Sequence, residues 1–189
     1  MASDMKSTLL LLAAVFALGL PASAQPTLPS ADEVMTQAKT RAAAEHKNIL
    51  LVFSASWCGP CKMFEAFLDD PKAGPIMNKY FVTARLDVGE KPGDKLHADS
   101  PGAEALRASL NGADAGYPFL VMLDPAGKPI VNSFCPASLK CDPAGENIGY
   151  PATPPEIAWF MQMLRQAAPA LSPKEADTLQ SWLSQRGRS

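Results

Sequence analysis

Ile49-Leu50-Leu51-Val52-Phe53-Ser54-Ala55-Ser56-Trp57-Cys58-Gly59-Pro60-Cys61-Lys62-Met63-Phe64-Glu65-Ala66-Phe67-Leu68 joins an unbroken apolar run to a segment of helical composition through a short polar link. A continuous run of strand length, without polar alternation, suits a central strand buried on both faces. The helix is expected from Cys58 to about Leu68. Gly59 permits the tight turn, and Pro60 is harmless in a first helical turn, where its missing N–H has no intrahelical partner. Cys58 and Cys61 thus sit on the first turn of a helix, where two thiols can close into a disulfide or reopen and where the helix N-terminus stabilises a thiolate on the first. That is electron-exchange chemistry. The competing readings are a permanent bridge or half of a zinc site. The other two cysteines, Cys135 and Cys141, are spaced C-x5-C and so supply no second C-x-x-C for zinc.

Upstream, Ser30-Ala31-Asp32-Glu33 reads as an N-capping signature opening an Ala-rich helix to about His46, which Lys47-Asn48 breaks. Downstream, Phe81 to Val88 reads as a second strand and Gly89 to Ser100 as a surface loop. A helix follows from Pro101 to about Leu110, with Ser100 as its expected cap. Phe119 to Leu123 and Pro129 to Phe134 read as a hairpin about the turn Asp124-Pro125-Ala126-Gly127. Cys135 to Pro155 has no periodicity and reads as an inserted loop. A helix from about Pro155 to Ala168 carries Ile157, Phe160, Met161 and Leu164 on one face, a stripe that reads as core packing. Ser172-Pro173-Lys174-Glu175 opens a last helix to about Gln185.

The N-terminal end carries Lys6, an uncharged stretch from Leu9 to Leu20, and Ala22-Ser23-Ala24 before Gln25. This pattern predicts a secretory signal over residues 1–24, cleaved after Ala24. Its apolar stretch falls short of the roughly 18 to 20 residues that span a bilayer. No later stretch is long and apolar enough to do so, so the mature chain is expected to be soluble, periplasmic or secreted, with no membrane association. The net charge is −2 and no basic run interleaves with aromatics, which argues against nucleic acid as a partner. Outside the cytosol disulfides persist. Cys135 and Cys141, enclosing five residues of otherwise unstructured loop, therefore suit a small structural disulfide rather than a second redox pair.

The order helix, strand, Trp57-Cys58-Gly59-Pro60-Cys61-Lys62, helix, strand, helix, Tyr117-Pro118, strand hairpin, helix resembles thioredoxin over about Ser30 to Ala168. With the export signal and the long loop after the second strand, it is most similar to periplasmic thioredoxin-like proteins. The resemblance implies an α/β thioredoxin fold: a central mixed sheet covered by helices on both faces, over residues 30–168. The insert lies at about 135–155, and an extra C-terminal helix at 172–186. It implies that Cys58 is an exposed nucleophile, that Cys61 resolves the mixed disulfide, and that Pro118 is a cis proline facing them. Trp57 would shield the thiol and contact substrate, and the Tyr117 backbone would meet an extended substrate strand. Neither an organic cofactor nor a metal is implied. The implied partners are protein thiols and disulfides, with an external electron partner needed for turnover.

One departure bears on the chemistry. The family places a buried aspartate six residues before the first cysteine, and here that position is Val52. Loss of the carboxylate removes repulsion on the Cys58 thiolate and should make the pair less reducing than thioredoxin's. Glu65, on the helical face of Cys61, and Arg85, on the second strand, are the charged residues able to modulate the site. The alternatives to an enzyme are a redox sensor that switches a partner and a non-catalytic binding module using the loops Gly89 to Ser100 and Cys135 to Pro155. His46 and His97 read as isolated surface residues.

Overall fold

The computed structural model describes residues 28–94, 96–141 and 145–186; the signal sequence read over 1–24 lies outside the described residues. Helix α1, Ala31–Glu45, starts at a complete capping box: Ser30 Oγ accepts the Glu33 N–H at 3.3 Å and the Glu33 carboxylate accepts the Ser30 N–H at 2.8 Å. It ends at His46, whose left-handed backbone turns the chain into strand β1, Asn48–Ser54. Helix α2, Gly59–Leu68, has Cys58 as its N-cap.

Helix α3, Ala73–Tyr80, has no counterpart in the sequence reading, because Pro71, Gly74 and Pro75 hide its periodicity. Pro75 lies in its first turn, where no N–H is needed. Asp70 Oδ1 supplies the missing start signal by accepting the N–H groups of Lys72 and Ala73 at 2.8 and 3.1 Å. Gly74 is required by contact, since a Cβ there would stand 2.3 Å from the Leu68 carbonyl oxygen.

Strand β2, Phe81–Asp87, leads to helix α4, Ala103–Ser109, which starts later than Pro101 and is capped by Gly102 in the left-handed region rather than by Ser100. Ser100 is committed elsewhere: its N–H donates to the Asp87 carbonyl at 2.8 Å and its Oγ accepts the Asp87 N–H at 3.2 Å. Those bonds close the loop against the end of β2. Strands β3, Phe119–Leu123, and β4, Pro129–Asn132, form the expected hairpin, with β4 stopping short of Phe134. The insert holds a 3-10 turn at Ala137–Leu139, the Cys135–Cys141 disulfide and an antiparallel bridge between Phe134 and Asn147. Helix α5, Pro154–Ala167, begins on a Thr153/Glu156 capping box, and α6, Pro173–Arg186, on Ser172 with Glu175.

The sheet order is β2-β1-β3-β4, with β1 parallel to β2 and antiparallel to β3, and β3 antiparallel to β4. This is the mixed central sheet of a thioredoxin-like α/β fold. Side chains of β1 alternate between two cores, as the period of a strand requires. Leu50 and Val52 face α2, α3, α5 and α6, while Ile49, Leu51 and Phe53 face α1 and α4. The first core is built on Phe64, Phe67, Phe160 and Trp182, with ring centroids 5.1 to 6.0 Å apart. Leu179, Trp182 and Leu183 of α6 are buried in it. At about 1.5 to 3 kcal/mol for each large apolar side chain, the last helix is part of the core rather than an appendage.

Candidate active site

Burial of β1 on both faces fixes its C-terminal end rigidly, and the chain leaves it through Ala55-Ser56-Trp57 to reach Cys58. Cys58 and Cys61 are joined in a disulfide with Cα atoms 5.3 Å apart. Cys58 Sγ accepts the Cys61 backbone N–H at 3.1 Å, so the sulfur takes up one of the donors that a helix start leaves unpaired. The first turn of α2 carries no acidic residue.

The resemblance implied an exposed Cys58, and the structure corrects this: Cys58 is 3% and Cys61 2% exposed. Both pack with Ala55 beneath Tyr117. Gly59, Pro60 and Trp57 lie at the surface around them, so the disulfide is just below the surface rather than deep in a core. Trp57 is 47% exposed, its indole N–H donates to the Gly89 carbonyl at 2.8 Å, and its ring meets the Tyr117 ring edge-on at 6.0 Å.

The Tyr117–Pro118 peptide bond is cis. Burial pushes the Tyr117 phenol above its ordinary value while the neighbouring Arg107 pulls it down, so the ring stays neutral at physiological pH. Gly89 makes room for it: the backbone there has φ +68°, and an added Cβ would stand 2.4 Å from the Tyr117 hydroxyl oxygen. Gly149 approaches from the insert, where a Cβ would lie 3.5 Å from the Tyr117 carbonyl oxygen.

Val52 lies in the core facing α2, opposite Arg85 on β2 and Leu120 on β3. Glu65 forms an ion pair with Arg85, which also donates to Asp87 at 3.1 Å. Both partners are over a third exposed, so this pair sits at the sheet edge in solvent. Cys135 and Cys141 are bonded to each other, with Cα atoms 6.2 Å apart, and not to the first pair.

Sequence reasoning missed three residues that build the surroundings. Glu90 accepts both the N–H and the hydroxyl of Ser56 at 2.6 Å, and its own N–H donates to Asp99 at 2.8 Å. The loop after β2 is thereby fastened to the segment leading into Cys58. Arg107, 5% exposed, donates to the carbonyls of Ala113 and Ala115 and lies over the Tyr117 ring. Asn147 bonds to both carbonyls that flank Tyr117. These contacts join loop residues far apart in the chain, and no local pattern announces them.

His97 is also less isolated than its sequence context suggests. Its Nδ1 lies 2.9 Å from Asp94 Oδ2, and ligand atoms of Glu90, Asp94 and His97 fall within 4.8 Å of one another. Glu90 already serves Ser56, and Asp94 already caps the N–H groups of Leu96 and His97, so loop closure accounts for the cluster.

Comparison with known proteins agrees with this architecture. Residues 33–125 match a family model described as thioredoxin-like. Over 84 residues the chain is 32% identical to a protein disulfide-isomerase of Hordeum vulgare, covering 44% of this chain and 14% of that protein. Over 53 residues it is 43% identical to an H-type thioredoxin of Chlamydomonas reinhardtii, covering 26% of this chain and 47% of that one. The chain therefore spans less than half the length of either relative. Among solved structures, a disulphide isomerase from Xylella fastidiosa Temecula1 is 20% identical with a TM-score of 0.47, over 89% of this chain and 98% of that chain. The oxidised C-terminal domain of Neisseria meningitidis DsbD is 21% identical with a TM-score of 0.38, over 56% of this chain and 86% of that chain. Strands β1, β2 and β3 of the mixed sheet and the C-x-x-C disulfide at the start of α2 all lie within segment 33–125, the part of the chain that is similar to the thioredoxin-like family.

Proposed function

We propose that the protein is a thiol-disulfide oxidoreductase acting on protein disulfides outside the cytosol, with Cys58 as nucleophile and Cys61 as resolving thiol. The observation that carries this reading is the Cys58–Cys61 disulfide at the N-terminus of α2, with Cys58 Sγ already accepting a helix-start N–H. In the reduced protein that donor and the helix dipole favour a Cys58 thiolate. The thiolate attacks one sulfur of a substrate disulfide, forming a mixed disulfide and expelling the other sulfur as a thiolate, which takes a proton from solvent. Cys61 then loses its proton to solvent and attacks Cys58 Sγ. The substrate's second thiolate leaves and the Cys58–Cys61 bond closes. Two electrons pass from the protein to the substrate, and the reverse sequence oxidises a dithiol. An external thiol or disulfide partner must restore the starting state.

Shallow burial of Cys58 means that substrate must gain access past Trp57 and Tyr117, and the exposed Trp57 is suited to make that first contact. Glu65 and Arg85, neutralising each other at the edge, act at most on the local field. Cys135–Cys141 serves as a structural clip on the insert. Export rests on the pattern over residues 1–24; in the structure, no helix of the described residues is long and apolar enough to cross a membrane.

The test is reduction of insulin by catalytic amounts of protein with dithiothreitol as electron source. Wild type should accelerate it, Cys58→Ser should not, and Cys61→Ser should accumulate mixed disulfides through Cys58. A wild type no faster than Cys58→Ser would end the reading. Equilibration with glutathione should place the pair above thioredoxin's potential of about −270 mV.

A further inference from the structure

The insert between β4 and α5 is hydrogen-bonded to the backbone beside the Cys58–Cys61 disulfide. The Cys135 N–H donates to Glu146 O at 2.9 Å and the Ile148 N–H to Ser133 O at 2.9 Å, so residues 145–148 run back along the end of the β4 segment. This brings Asn147 to the Gly116-Tyr117-Pro118 segment. Its Nδ2 donates to Gly116 O at 2.7 Å and to Pro118 O at 3.0 Å, using both amide protons. Its Oδ1 accepts the Ser133 hydroxyl at 2.5 Å, and Ser133 Oγ, fully buried, accepts the Leu120 N–H at 2.9 Å. The amide is therefore held in one orientation, with its donors toward the two carbonyls. Between those carbonyls, the N–H and C=O of Tyr117 make no hydrogen bond to any described residue.

We propose that Asn147 is a positioning residue for protein substrates: by holding the carbonyls of Gly116 and Pro118 it keeps the free Tyr117 backbone edge aligned to pair with an extended chain brought to the disulfide. The inference rests on the oxidoreductase reading and deepens it, because it gives the insert a part in substrate choice. A small dithiol needs only the sulfurs, whereas a polypeptide needs the backbone edge as well. Asn147 and the disulfide are thus separable: one governs which disulfides are engaged, the other the exchange itself.

Asn147→Asp keeps the shape, removes both donors and sets a carboxylate against two carbonyl oxygens. We compare two rates for wild type and variant: reduction of the oxidised protein by dithiothreitol, and reduction of insulin by the reduced protein. The expected result is a dithiothreitol rate and a redox potential like wild type's, with kcat/KM on insulin lowered roughly fivefold or more, mainly through KM. If Asn147→Asp does not fold, Ser133→Ala supplies the same test, since it frees the Asn147 amide to turn without adding charge. Equal losses on both substrates, or no loss on either, with an active wild type would overturn the inference and leave the oxidoreductase reading intact. A wild type inert to both reagents would remove that reading and this inference together.

Discussion

Replacing Arg107 by Met should loosen the approach to Tyr117 by an amount that the contacts allow to be worked out. The guanidinium donates to Ala115 O at 2.8 Å, in a buried bond, and to Ala113 O at 2.9 Å. It also pairs with Glu104 and lies 5.2 Å from the centre of the Tyr117 ring. The Ala115 carbonyl lies in a buried residue, so losing a charged donor there costs about 1.5 to 3 kcal/mol. Ala113 is exposed and water replaces its partner, while the Glu104 carboxylate stands mostly in solvent, so these two contacts together add about 0 to 1 kcal/mol. The ring contact adds about 0.5 to 1 kcal/mol. Met fills much of the volume of the arginine stem, which keeps the cavity cost small. The total is about 3 kcal/mol, or about 6 to 12 °C in Tm for a domain of this size. Urea denaturation monitored by circular dichroism measures it. Arg107→Lys should recover less than half, because one ammonium cannot reproduce a fork that reaches two carbonyls. A destabilisation below about 0.5 kcal/mol, or full recovery by lysine, would refute the view that this fork holds the loop.

Further outcomes follow from other contacts. Val52→Asp sets a carboxylate in the core that faces α2; the redox potential should fall toward thioredoxin's while stability drops by about 3 kcal/mol or more, since Val52 is 5% exposed. A potential that stays or rises would reject the role given to this position. Replacing Cys135 and Cys141 together by serine opens a loop of sequence separation 6 and should cost about 2 kcal/mol by the loop-entropy relation, read as a lower urea midpoint. The Glu175 carboxyl, held at about 2 chiefly by the Lys79 ammonium and then by Ser172 and Tyr80, ties α6 to α3. Its folded value lies below the ordinary 4.5, so its contribution is present above pH 4.5 and fades as pH falls toward 2. Glu175→Gln should flatten the acid-unfolding curve in that window, and superimposable slopes would exclude this pair as a source of acid sensitivity.

Elements whose signals are local could be read directly. The Ser30/Glu33 and Ser172/Glu175 boxes announce α1 and α6, the apolar run announces β1, and the cysteine spacing at a helix start announces the Cys58–Cys61 pair, because each signal lies within a few consecutive residues. Helix α3 escaped because Pro75 and Gly74 look like breakers until the first-turn position of one and the Leu68 contact of the other are known. The start of α4 was misplaced because Ser100, a plausible cap, was drawn instead to Asp87 across the loop.

The site divides along the same line. Residues 58–61 carry their pattern in their own order, so the amino-acid sequence alone pointed to the Cys58–Cys61 pair, to the helix that starts there and to Val52 in place of a carboxylate. Only the tertiary structure decided how far the sulfurs are covered and what holds the walls: Glu90 on Ser56, Arg107 over the Tyr117 ring and Asn147 on Gly116 and Pro118. Hydrogen bonds between loops depend on where the sheet carries each loop, and that follows from packing the whole chain, so no window of neighbouring residues contains them.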